Sequence, residues 1–261
     1  KESLNALKIE NHKMREGYVH KLLDYYNGNN TKYYIEGRFD LDAFREVPPY
    51  EANITKKFIN KMSRVYTVGA DRNVNEKYDR ISVLKDSKMK HIERMTRLIG
   101  TIACRIMYVD NDMPHFDYQP IYYFHPFFGE DPFKPVAISY PLMNYTDDVS
   151  NSEICQYIHW NDEVYIIFDE NGRVIEEKPH GYGTLPFVFT HREHQSDAFY
   201  VEGANDIMGA NEHINITMTE MQLGLRFQMF GQPVVSGADL GNNQRFGSDV
   251  ILELPSDANY N

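Results

Sequence analysis

The sequence predicts an α+β fold: a helical N-terminal part, an antiparallel β-meander, then one long helix leading into a small β/α segment. Three observations carry that prediction. Apolar residues recur at helical spacing as far as Ile99, and the period changes to alternation at Thr101. From Asp206 to Phe230 it becomes helical again, with two apolar stripes instead of one.

The first helix is expected from Leu4 to Tyr26, with Leu4, Leu7, Met14, Val19, Leu22 and Leu23 near one side. It ends at Asn27-Gly28-Asn29-Asn30, residue types that tolerate positive φ. After Pro48-Pro49, a second helix runs from about Asn53 to Tyr66. Asn53 is its N-cap, and Ile54, Phe58, Ile59, Met62 and Val65 share a face. A third, Asp86 to Ile99, buries Met89, Ile92, Met95, Leu98 and Ile99. Strands follow at Ile102–Tyr108, Ile121–Phe124, Val136–Tyr140, Ile154–Ile158, Val164–Phe168, Val174–Glu176 and Phe187–Phe189, rich in β-branched and aromatic residues. Asp169-Glu170-Asn171-Gly172 reads as a hairpin with a primed turn.

At about 100° per residue, Ile207, Ala210, Ile214, Met218, Met221, Leu225 and Met229 line one side of the long helix. Ile216, Leu223, Phe227 and Phe230 lie roughly opposite. Asn211, Asn215, Thr219, Gln222 and Arg226 fill one gap; His213, Thr217, Glu220 and Gln228 fill the other. Two stripes imply two partners, so the helix is either a middle layer of a core or a member of a ring whose neighbours supply both contacts. Gly231-Gln232-Pro233 stops it. Beyond lie Val234-Val235, a Gly/Asn-rich loop from Gly237 to Gly247, and an apolar run from Val250 to Leu254 with no visible pairing partner. That unmatched run, with Lys1 as first residue, leads us to expect part of a longer polypeptide.

Composition narrows the function classes. A net charge of −11 opposes a surface built to grip nucleic acid by neutralising phosphates. Cys104 and Cys155 are too few for a disulfide framework and wrongly spaced for zinc. No apolar run reaches the roughly 20 residues of a membrane span. Neither a phosphate loop nor a dinucleotide fingerprint occurs. His191-x-x-His194 is half a metal site outside the helical context that would complete it. Asp169 with Glu176, Glu177 and Lys178 loosely resembles a metal-dependent nuclease cluster, though the spacing also suits a hairpin with a charged wet face. The 19 tyrosines are spread over the strands and suit a core better than a base-stacking platform. We therefore expect no catalytic residue, cofactor or metal.

In this order, several stretches resemble the N-terminal half of tailed-bacteriophage portal proteins: His20-Lys21-Leu22-Leu23-Asp24-Tyr25-Tyr26-Asn27-Gly28, Met62-Ser63-Arg64-Val65-Tyr66, Arg97-Leu98-Ile99-Gly100-Thr101, the hairpin Val164 to Glu177, His180-Gly181-Tyr182-Gly183-Thr184-Leu185-Pro186-Phe187, and the long helix closing on Phe230-Gly231-Gln232-Pro233. The resemblance implies a wing over residues 1–202, a stem helix over 203–232, and the start of a clip over 233–261. It also implies a homo-oligomeric ring of about twelve subunits at a capsid vertex, assembled in the host cytoplasm. Such a ring conducts double-stranded DNA during packaging and ejection, binds it weakly, and meets a terminase motor, the major capsid protein and a tail adaptor. In that ring Ile207, Ile214, Met218, Met221 and Leu225 on one side, and Ile216, Leu223 and Phe227 on the other, would be subunit contacts. Asn211, Asn215, Thr219, Gln222 and Arg226 would face the channel, because amides and one cation can exchange phosphate contacts while Glu220 repels them. On this assignment a charge at Asn215 should be tolerated and one at Leu223 should not. The alternatives are a divalent-metal-dependent phage nuclease using Asp169, Glu176 and Lys178, and a ring connector or adaptor other than the portal.

Overall fold

The computed structural model describes residues 10–39, 48–68, 71, 73, 75–76, 85–110, 115–142, 156–195, 197–229, 234–236 and 252–254. It is an α+β chain with antiparallel sheets, and it divides into two compact units. Lys1–Asn27 and Ile54–Met208 form the first; Gly28–Asn53 and Gly209–Asn261 form the second. The segment 1–202, continuous in the sequence reading, is thus shared between both.

In the first unit, α1 (Glu10–Asn27) buries Val19, Leu22, Tyr25 and Tyr26, a helical repeat of three and four. It packs with α3 (Ile54–Met62) and α4 (Lys85–Ile99). The Tyr26 hydroxyl donates to Asn60 Oδ1 at 2.9 Å, joining α1 to α3. On α3 the expected apolar face is only partly used: Ile59 is buried, whereas Phe58, Met62 and the following Val65 are exposed. On α4, Ile92, Met95, Leu98 and Ile99 are buried as the pattern predicts. Residues 4–9 of the expected first helix lie outside the described residues, as do the 230–233 stop and Cys155.

Chain reversal after α4 depends on Gly100. Its φ is +96°, and a Cβ there would meet the Val201 carbonyl oxygen at 2.1 Å, so no other residue fits. The close approach is used: Arg192 N donates to Gly100 O at 2.8 Å and Ala204 N to Leu98 O at 2.8 Å, satisfying carbonyls left open at the helix end.

β1 (Thr101–Val109) is the central strand of a three-stranded sheet between β2 (His115–Ile121) and β8 (Phe187–His191), with Ala103 opposite both Ile121 and Phe189. Only the last residue of β2 is visible as strand in the sequence, because Asp117, Gln119 and Pro120 break the alternation. An edge position tolerates them. The second sheet is a five-stranded meander of β3 (His125–Phe128), β4 (Pro135–Leu142), β5 (Gln156–Trp160), β6 (Val164–Asp169) and β7 (Val174–Pro179). One buried cluster joins the sheets: Ala103, Ile121, Phe124, Ile138, Tyr140, Ile158, Trp160, Phe187 and Phe199. Its aromatic pairs meet edge to face, Phe124 with Phe199 and Trp160 with Phe187, a geometry that adds specificity to apolar burial.

The β6–β7 turn differs from the primed turn expected. Gly172 alone takes positive φ, at +77°, while Gly172 N donates to Asp169 O at 3.0 Å. Asn171 therefore stays right-handed, and the register shift beside Phe168 marks a bulge that absorbs the extra residue.

In the second unit, a short helix, α2 (Thr31–Glu36), buries Thr31 and Ile35. The long helix is α5 (Asn205–Met229), all but its first four residues in this unit. β9 (Val234–Ser236) and β10 (Leu252–Leu254) pair in parallel, Leu252 opposite Val234, so the late apolar run does have a partner. Short sequence separation cannot reveal such a pairing because a parallel partner needs a crossover.

Candidate functional site

The candidate site is the surface of α5. Its 25 residues rise about 37 Å at 1.5 Å each, so its four faces extend over many turns. Each face has a distinct environment.

The face proposed for a channel is in large part turned inward. Asn211, Asn215 and Thr219 are 1 %, 0 % and 0 % exposed. They grip the extended segment that follows Pro48-Pro49. Asn215 Oδ1 accepts from Ala52 N at 3.0 Å, and its Nδ2 donates back to Ala52 O at 3.3 Å. Asn211 Nδ2 also donates to Ala52 O, at 3.0 Å. One turn on, Thr219 Oγ1 accepts from Tyr50 N at 2.9 Å and donates to Asn215 O at 2.7 Å. The helix thus offers backbone-like donors and acceptors to the peptide that follows Pro48-Pro49. The assignment of Asn211, Asn215 and Thr219 to a lumen is therefore corrected, because their polar atoms are consumed within the chain. The expected tolerance of a charge at Asn215 falls with it. Gln222, exposed, and Arg226, half-buried, continue the same face beyond the gripped segment.

The segment is tied further by Thr31 Oγ1, which donates to Glu51 Oε2 at 2.9 Å, and Arg38 pairs with Glu212 at 3.6 Å. Sequence reasoning missed this arrangement. Its available signal was Asn-x-x-x-Asn-x-x-x-Thr on a helix together with Pro48-Pro49.

The first apolar stripe is exposed at several described positions. Ile214 is 43 % exposed, and Met221 and Leu225 are each 57 % exposed; Ala210 is exposed too, with Ile207 and Met218 half-buried. Ile216 and Leu223 of the opposite stripe are half-buried, and the Phe227 side chain lies outside the described residues. Between the stripes, His213, Thr217 and Glu220 are exposed. Among the described residues of the two stripes, none is fully buried.

The residues of the nuclease alternative are engaged in a hairpin. Asp169 Oδ1 accepts from Asn171 N at 2.9 Å and Arg173 N at 2.8 Å, an Asx turn. Glu176 receives Lys178 Nζ at 2.7 Å and the Tyr165 hydroxyl at 2.8 Å, bonds that hold its carboxyl below the usual range. Glu177 is exposed. His191 Nδ1 lies 3.0 Å from Thr101 Oγ1, while His194 Nδ1 contacts Gln195 O at 2.6 Å. Among the described residues, no three His, Cys, Asp or Glu side chains converge as a metal site, and no helix is long and apolar enough to cross a membrane. Cys104 is buried in β1, which pushes its thiol up to about 11.

No protein-family model matches the chain, and no curated protein matches it.

Proposed function

We propose that this chain is a portal-type ring subunit, one copy in a closed homo-oligomer at a capsid vertex through which double-stranded DNA passes during packaging and ejection. The observation that carries the reading is the exposed stripe Ile214, Met221 and Leu225 on a 25-residue helix. Apolar side chains aligned over several turns mark a contact surface, and a heterologous contact between opposite stripes of adjacent copies gives a ring when the rotation between copies closes. The order of motifs from His20 to Pro233 supports the portal class over other ring connectors.

Because Asn211, Asn215 and Thr219 are engaged with Tyr50 and Ala52, the polar face left for a channel is His213, Thr217 and Glu220. Glu220 repels phosphate, which favours passage over retention in a chain already acidic overall. Stem and clip then correspond to 203–232 and 233–261, and the wing to 1–202 less residues 28–53, which belong to the compact unit of the long helix. The ring's partners are a terminase motor, the major capsid protein and a tail adaptor, and the subunit carries no catalytic role.

Sedimentation velocity tests the reading. The chain should sediment as a large closed species. Leu225→Asp should reduce it to monomer, since an exposed Asp costs little alone but several kcal/mol when buried unpaired in an apolar contact. Thr217→Asp, on the polar face, should still assemble. A monomeric parent chain, or an intact ring in Leu225→Asp, would overturn the proposal.

A further inference from the structure

Arg15 is a guanidinium without a carboxylate. It lies on α1, half-buried, with its guanidinium carbon 3.7 Å from the centre of the Tyr200 ring. Its Nη2 donates to Thr101 O at 3.4 Å, a long bond, and its Nε is buried with no acceptor. No Asp or Glu among the described residues forms an ion pair with it; the groups that raise its pKa are Tyr200, Tyr18 and Tyr123. Burial outweighs them and pulls the guanidinium below its ordinary value, although it remains a cation at neutral pH. A half-buried cation with no ion-pair partner and a buried, unbonded Nε carries a desolvation cost, and an anion seated beside it offsets that cost.

The room for one is present. Arg15 lines a cleft of about 330 Å³ together with Met14, Tyr18, Tyr200, Glu202 and Asn205. Two tyrosine rings and a methionine give it apolar walls, and Asn205 adds an amide. Tyr18 is pushed up to about 12, chiefly by burial and then by Glu202, so it stays a neutral hydroxyl. Glu202 is exposed at the cleft, and its charge selects among anions. It opposes a doubly charged phosphate about twice as strongly as a singly charged carboxylate. A planar carboxylate also matches the guanidinium fork.

We propose that the Arg15 cleft is a binding site for a carboxylate monoanion on an apolar or aromatic framework. The site is independent of the ring reading: it lies wholly in the first compact unit and uses no residue of the exposed α5 stripe.

Calorimetric titration of the full chain at constant ionic strength tests it. Benzoate serves as a free carboxylate, N-acetylglutamate amide as a protein side chain, and inorganic phosphate as the contrast. Benzoate or the glutamate derivative should saturate, and phosphate should bind at least tenfold more weakly. Saturation by the glutamate derivative alone names a protein segment as the source. Arg15→Met should abolish the heat. Glu202→Gln, at an exposed position, should tighten benzoate about threefold and phosphate more, as removal of one nearby charge requires. The proposal is overturned if neither carboxylate binds, if Arg15→Met binds equally, or if Glu202→Gln changes neither anion.

Discussion

Replacing Asn215 by leucine, a residue of similar volume, separates hydrogen bonding from packing in the grip of α5 on Tyr50 and Ala52. The amide makes two bonds to Ala52, at 3.0 and 3.3 Å, and is 0 % exposed. Leucine leaves Ala52 N without its acceptor, which costs roughly 1–3 kcal/mol, and removes a long second bond worth about 0.5–1. Ala52 O keeps its bond from Asn211 at 3.0 Å. Allowing some gain from burying an apolar side chain, the net loss is about 2 kcal/mol, or roughly thirtyfold in the local opening equilibrium. Amide hydrogen exchange at Tyr50 and Ala52 reads this directly, and both should exchange about thirtyfold faster. Asn215→Asp adds a signed test. Its carboxylate keeps the acceptor but turns a second oxygen toward Ala52 O, and desolvation raises its folded pKa above the usual value of about 3.9. The variant should resemble the parent below about pH 4 and lose protection as pH rises through the raised folded value. Gln222→Leu, on the same face but exposed, should change nothing. Unaltered exchange in Asn215→Leu, or an equal effect from Gln222→Leu, would refute the reasoning.

Three further outcomes follow from buried contacts. Gly203→Ala places a Cβ 2.4 Å from Leu98 O, so it should destabilise by about 2–3 kcal/mol and lower the calorimetric Tm, whereas Gly209→Ala, with open space at its Cβ, should not. Cys104 should resist iodoacetamide at pH 8 in the folded chain and react once denatured; unchanged labelling between the two states would contradict its burial. Its raised thiol pKa also makes stability fall as pH rises from about 8.5, where the unfolded thiol ionises, to about 11, where the folded one does. Cys104→Ala should flatten that part of the denaturation profile.

Binary pattern located the elements well where one face was buried and the other wet. On α4 the spacing of Ile92, Met95, Leu98 and Ile99 alone identifies the buried side. It failed at β2, where an edge strand carries Pro120 and Asp117, and at α3, where Phe58 is apolar and exposed. In the β6–β7 turn, Asn-Gly located the reversal but not its type, since Asp169 redirects the Asn171 and Arg173 amides.

The largest gap was at α5, and its cause is general. Hydropathy ranks asparagine and threonine as wet, but a buried amide is stable when its donor and acceptor both find partners. Residues four apart on a helix rise about 6 Å, close to the roughly 6.6 Å between alternate residues of an extended chain. Asn215 and Thr219 can therefore meet Ala52 and Tyr50 in register, as a neighbouring strand would. A polar stripe of short amides and hydroxyls at that spacing is then as compatible with a backbone receptor as with solvent. Long charged residues on the same stripe favour solvent, and the face of His213, Thr217 and Glu220, which is exposed, follows that distinction at Glu220. Under the proposed ring, the same distinction moves the channel face from the asparagines to His213, Thr217 and Glu220 and leaves the apolar stripes as the proposed contacts between copies.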